Sequence, residues 1–224
     1  MKKCTMLLLA LIALALLTVF AACRQTGGEE DHSGAVNAKP VIYLYPEEET
    51  EVSVQLDFDG TLTATWPAYP DGGWQVRALP DGTLYDAGGN TYSYLFWEGV
   101  TDTEYDFSQG FCVAGEDTGE FLREALSEMG LTPREYNEFI VYWLPRMQEN
   151  PYNLIAFQGT QIVSQAKVHL DSARLTIDPA PDSLLRVFMA YRPLEEPVEI
   201  APQRPMPFQR KGFTVVEWGG AEVR

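Results

Sequence analysis

Hydrophobicity along this chain changes character twice. From Met6 to Ala22 the residues form an apolar, uncharged run, and only beyond Lys39 do apolar positions become periodic. Pro40–Tyr45 is a β-branched and aromatic run bounded by prolines, which predicts a strand. Val52, Val54, Leu56 and Phe58 then alternate with Glu51, Ser53, Gln55 and Asp57, the period of a strand with one wet face. Leu62, Ala64 and Trp66 continue the alternation against threonines, and the intervening Asp59-Gly60 predicts a hairpin turn. Pro70-Asp71-Gly72, Pro80-Asp81-Gly82 and Gly88-Gly89-Asn90 punctuate further strands at Trp74–Leu79 and Tyr92–Trp97.

After Gly115 the period lengthens. Phe121, Leu122, Ala125, Leu126 and Met129 share one helical stripe, and Gly130 stops it. Thr132, Pro133 and Glu135 supply an N-cap, a first-turn proline and a capping box. Tyr136, Phe139, Ile140, Trp143, Leu144 and Met147 make the core stripe of that second helix, which Pro145 is expected to kink or end. Period-two segments resume at 154–158, 162–170, 174–177, 185–191 and 213–218, the last two joined by a proline-rich connection from Pro193 to Pro207. The order β, αα, β predicts a β-rich α+β fold: an antiparallel, sandwich-like β subregion over 39–114, a central helix pair, and C-terminal strands, with 115–224 as the αα+β subregion.

The leader changes the picture more than the composition does. Lys2 and Lys3 precede the apolar run, and Ala21-Ala22-Cys23 closes it with small residues and a thiol. This is the order of a secretory signal, residues 1–22, ending in a lipobox-like site, with Cys23 as the lipid attachment. Phe20 stands where leucine is usual, and two other fates fit the same residues: cleavage after Ala21, or an uncut segment near the lower length of a membrane span. Each puts the remainder outside the cytoplasm. Residues 23–38 are polar and glycine-bearing, a tether reaching roughly 20 Å. Residues 39–224 are read as a single extracytoplasmic domain.

Net charge is −16, and loss of the leader, which takes two lysines and no acid, makes it −18. That balance excludes a nucleic-acid partner, which needs cations against phosphates, and charge-driven docking to anionic lipid. With Cys4 in the leader and Cys23 lipidated, Cys112 stands alone, so no intramolecular disulfide is expected. No cofactor and no metal site are expected. His32 falls in the tether and His169 is the one histidine of the ordered region, too few for a closed zinc site. Asp57-Phe58-Asp59-Gly60 lacks the glycine and glutamate spacing of a calcium loop.

Catalytic patterns are sparse. Ser164 and Lys167 match S-x-x-K by letters, but period two puts them on opposite faces of a strand. The candidate constellation is Trp97-Glu98 with Glu217-Trp218. Glu98 follows Tyr94 and Phe96, and Glu217 follows Phe213 and Val215, so each carboxylate shares a side with apolar residues and must be paired, neutral or at a mouth. Two carboxylates with flanking aromatics is the chemistry of glycan cleavage, with Glu98 and Glu217 catalytic and Trp97 and Trp218 binding. The competing reading has both acids at strand ends, bonded to backbone or arginine.

Five stretches, KPVIYLYPEEETEV, YSYLFWEG, NEFIVYWLPRMQENPYNLIAFQ, DSLLRVFMAY and GFTVVEWGG, together resemble an uncharacterised group of bacterial secreted proteins and lipoproteins with KPVIYLYP near the start and VVEWGG near the end. The resemblance implies export and one domain, and it carries no activity. The expectation is a cell-envelope lipoprotein, membrane-held through Cys23, with a binding or structural role toward an envelope glycan or protein. The alternative is an envelope hydrolase of glycan or peptidoglycan.

Overall fold

Val41, Ile42, Tyr43 and Leu44 are all fully buried, so the strand that carries them, β1 (Ala35–Tyr45), is covered on both faces. This explains why its sequence is continuously apolar. In the computed structural model, which describes residues 35–160 and 171–223, β1 lies inside a seven-stranded sheet. The other members are β3 (Thr61–Trp66), β7 (Leu95–Thr101), β8 (Phe111–Ala114), β9 (Tyr152–Gly159), β11 (Ser183–Leu194) and β12 (Thr214–Glu222). Their order is β3-β7-β1-β12-β11-β9-β8, with every neighbouring pair antiparallel except β11 and β12. A five-stranded antiparallel sheet, β10-β2-β4-β5-β6, is built from β2 (Thr50–Phe58), β4 (Trp74–Ala78), β5 (Leu84–Tyr85), β6 (Thr91–Tyr92) and β10 (Ala173–Asp178).

The two faces of β1 belong to two cores. Ile42 and Leu44 pack with Val52, Val54, Trp74, Val76, Leu95, Trp97 and Val215 between the sheets. Val41 and Tyr43 pack with Trp218, Val216 and Met189 under two helices, α1 (Thr118–Glu128) and α2 (Pro133–Met147), which contribute Leu122, Leu126, Phe139 and Trp143. The molecule is thus α+β and β-rich: helices, seven-stranded sheet, five-stranded sheet.

Local chemistry fixes the helix ends as the sequence predicts. Thr132 and Glu135 form the reciprocal capping box, with the Thr132 N–H donating to the Glu135 carboxylate at 2.8 Å. Gly130 ends α1 at φ +102°, and the Leu131 N–H closes back on the Leu126 carbonyl at 3.0 Å. Glu135 is fully buried and ion-paired with Arg210. Pro145 does not end α2, which runs on to Met147. The proline lies in the last turn, and burial of Trp143 and Met147 holds that turn against the core.

Three differences from the sequence reading matter for function. Asp59-Gly60 is not a hairpin turn, because β2 and β3 lie in different sheets; β2 pairs with β10 and β4, and β3 with β7. Gly60 is required for space: a Cβ there would stand 2.3 Å from the Val100 carbonyl oxygen. Tyr92–Trp97 likewise splits into β6 and β7 and changes sheet. The boundary at 114 separates nothing in space, since β3, β7 and β1 join β8, β9, β11 and β12 in one sheet. The strand expected at 162–170 lies outside the described residues.

Beyond Leu194 the proline-rich connection is irregular, and Gln203 is its buried fixed point. Its amide accepts the Phe157 N–H at 2.7 Å and donates to the Phe157 carbonyl at 2.9 Å, pairing a backbone edge that short β8 leaves open.

Candidate functional site

Glu217 sits on the inter-sheet face of β12, 1% exposed, in parallel register with Arg186 of β11. The Arg186 Nε donates to one carboxylate oxygen at 2.6 Å and the Trp97 indole N–H to the other at 3.2 Å. A carboxylate in an apolar layer needs such partners. Glu98 lies on the opposite face. Val41 is in register with both Phe96 and Trp218, so those three point to the helices, and Glu98, two residues beyond Phe96, points there as well. Its carboxylate accepts the Lys39 backbone N–H at 3.4 Å.

The structure therefore does not bring Glu98 and Glu217 together: the sheet itself separates them. Nor do Trp97 and Trp218 offer a ring to a ligand. Both are fully buried, Trp97 against Phe58 at 4.9 Å and Trp218 against Phe139 at 5.3 Å. The correction is one of pairing. Alternation within each strand sets the side each acid shares with its neighbours, but which faces coincide depends on the register through β1.

On the helical face, four of the resembling stretches meet around Lys39. A register shift between Ala38 and Val41 bulges β1 against both neighbours and leaves Lys39 at φ +51°. Its ammonium stands 5.3 Å from the Tyr142 ring centre and 6.0 Å from those of Tyr94 and Trp218. Beside it the Tyr43 hydroxyl donates to Glu138 at 2.8 Å; burial first, and then that carboxylate, push the Tyr43 pKa above its ordinary value. Gly219 permits the crossing, since a Cβ there would meet Pro40 at 2.9 Å. The lysine fills its own aromatic cage, which makes this cluster a clasp between β1, β7, β12 and α2.

An open site lies elsewhere. A register shift between Leu62 and Ala64 turns the end of β3 over. Leu62 faces the inter-sheet core opposite Gly99, but Trp66 is opposite Phe96 on the other face and is 64% exposed. Its ring meets Tyr92 at 5.9 Å and an interplanar angle of 72°. Together they border a depression of about 530 Å³ lined also by Pro67, Pro70, Gln75 and Asp86. Asp86 fixes the loop behind it, accepting from the Gly88 and Asn90 backbone N–H groups, the Asn90 amide (each 2.9 Å) and the Tyr92 hydroxyl (2.8 Å). These donors, the Asn90 side chain foremost, hold its pKa down at about 2. Plain alternation puts Trp66 on the apolar side with Leu62; the bulge at Thr63 that reverses it has no local signature, and the one hint in the sequence is a strand rich in threonine.

Cys112 is half-buried, and its sulfur accepts the Val198 N–H at 3.4 Å. Cys23, His32, Ser164, Lys167 and His169 lie outside the described residues. Among those described, no group of three or more His, Cys, Asp or Glu is arranged to hold a metal, and no helix is long and apolar enough to cross a membrane.

No family model and no solved structure matches the chain. Over 92 residues it is 40% identical to an "Uncharacterized protein in bglA 3'region" of Butyrivibrio fibrisolvens, an alignment spanning 40% of this chain and 95% of that one. The chain belongs to the same uncharacterised family as that Butyrivibrio protein.

Proposed function

We propose that this is a cell-envelope protein, held to the membrane by lipid on Cys23, whose domain beyond the tether binds a surface partner without transforming it. The leader supports the location: a basic start, an apolar run and Ala21-Ala22-Cys23 in that order. Trp66 carries the binding role. The other four tryptophans are at most 2% exposed, whereas this one stands in water at the rim of a depression. Hydrolysis by Glu98 and Glu217 finds no support in the geometry, because the acids lie on opposite faces and Glu217 is already ion-paired.

Metabolic labelling with an alkyne palmitate tests the anchoring. The full chain incorporates the probe, fractionates with membranes and is cleaved by protease added to intact cells, while Cys23→Ala abolishes labelling. Recovery of unlabelled, uncleaved chain from the cytosol overturns the proposal.

A further inference from the structure

We infer that the Trp66 depression is a binding site for an uncharged polysaccharide, a single sugar ring stacking on the indole. This rests on the surface-binding reading and names its ligand class.

The first observation is the bulge that aims the ring. Plain alternation from Leu62 would direct residues 64 and 66 into the inter-sheet core, and the register shift instead presents Trp66 to solvent. Bulges that re-aim one side chain are characteristic of binding edges. The second is the shape of the corner. With Trp66 and Tyr92 at 72°, the rings form a floor and a wall. A polyproline helix needs parallel aromatic ridges to lie between, which this pair does not supply. A pyranose, with an apolar C–H face and a hydroxyl rim, matches a floor and a wall.

The third is charge. The lining contains the Asp86 carboxylate and no cation, on a chain of net charge −16. Phosphate- or uronate-bearing polymers are repelled there. Hydroxyl groups are served, because Gln75 donates to Ser53 at 2.8 Å and its side-chain amide has no other hydrogen bond among the described residues. The fourth is rigidity. The Trp74 indole N–H holds the Pro67 carbonyl at 3.0 Å, and Asp86 holds Tyr92, so both sides of the corner are set before a ligand arrives. A volume of about 530 Å³ accommodates a short stretch of saccharide.

Co-sedimentation of the detergent-solubilised full chain with insoluble polysaccharides tests this, using cellulose, xylan, mannan and starch as neutral probes. A pectate gel serves as the anionic probe and an immobilised proline-rich peptide as the rival ligand. At least one neutral polysaccharide retains the protein, with little dependence on salt. Trp66→Ala weakens that binding tenfold or more, Trp66→Phe retains most of it, and Val141→Ser, at an exposed apolar position on α2, leaves it unchanged. Failure to bind any of the four neutral probes, equal binding by Trp66→Ala, or preference for pectate or the peptide overturns the inference. Palmitate labelling with no Trp66-dependent sedimentation refutes the ligand class and spares the anchoring; the reverse pattern refutes the anchoring and spares the site.

Discussion

Replacing Glu217 with glutamine removes one charge from a place that water does not reach. Glu217 is 1% and Arg186 5% exposed, and the guanidinium Nε lies 2.6 Å from the carboxylate. Arg186 then loses its ion pair with Glu217 while staying desolvated, and such half-broken buried pairs cost about 3–5 kcal/mol. Glu217→Ala also strips the acceptor from the Trp97 indole, adding about 1 kcal/mol. Urea unfolding followed by tryptophan fluorescence reads the effect directly. With a slope of about 2 kcal/mol/M, the midpoint falls by roughly 1.5–2.5 M. The double substitution Arg186→Met with Glu217→Leu, which removes both charges and refills the volume, returns to within about 1 kcal/mol of the parent. That non-additivity is the signature of a structural pair. A Glu217→Gln protein within 0.5 kcal/mol of the parent, or a double variant whose loss equals the sum of the two single ones, would refute the reasoning.

Three further outcomes are expected. At Lys39, φ +51° penalises any side chain, so Lys39→Gly, which loses the aromatic contacts but not the backbone fit, is more stable than Lys39→Ala by about 1 kcal/mol in the same assay; equal stabilities would exclude the strained bulge. Asp86 has a folded pKa of about 2, below its unfolded value, so the stability it contributes is present above the unfolded carboxylate range and lost as pH falls through about 2; a carboxyl carbon titrating in the ordinary range by NMR would break the loop account. Tyr43, Tyr105 and Tyr191 are raised, chiefly by burial, so their contribution is complete below the unfolded tyrosine value and lost as pH climbs beyond it. Their ionisation, read as absorbance at 295 nm, accordingly coincides with loss of fold, and ionisation in an intact domain would contradict their burial.

Elements whose identity depends on their own residues were legible from the sequence. The capping box of α2, the glycine stop of α1 and the alternation of β2 are local, and each appears where the pattern puts it. The side of Glu217 was legible too, as was its need for a partner; Arg186, the lone charge in the apolar run LLRVFMAY, was the available clue. What escaped depends on pairing. Asp59-Gly60 has hairpin chemistry, yet the inter-sheet core draws β2 and β3 into different layers. The face of Trp66 follows from one unpaired residue in β3, and one residue reverses every side chain after it. The opposition of Glu98 and Glu217 needed the register of β1 against two strands at once.

The position of β12 has a consequence for when the domain can exist. Among the described residues, one half of the large sheet, β3-β7-β1, is hydrogen-bonded to the other, β11-β9-β8, only through this strand, whose nine residues begin at Thr214. A ribosome that has released everything up to Lys211 has left β1 and β11 each with an unpaired backbone edge, the two halves sharing side-chain packing under the helices but no strand pairing. Closure of the large sheet therefore waits for Thr214–Glu222, the last in chain order of its seven strands.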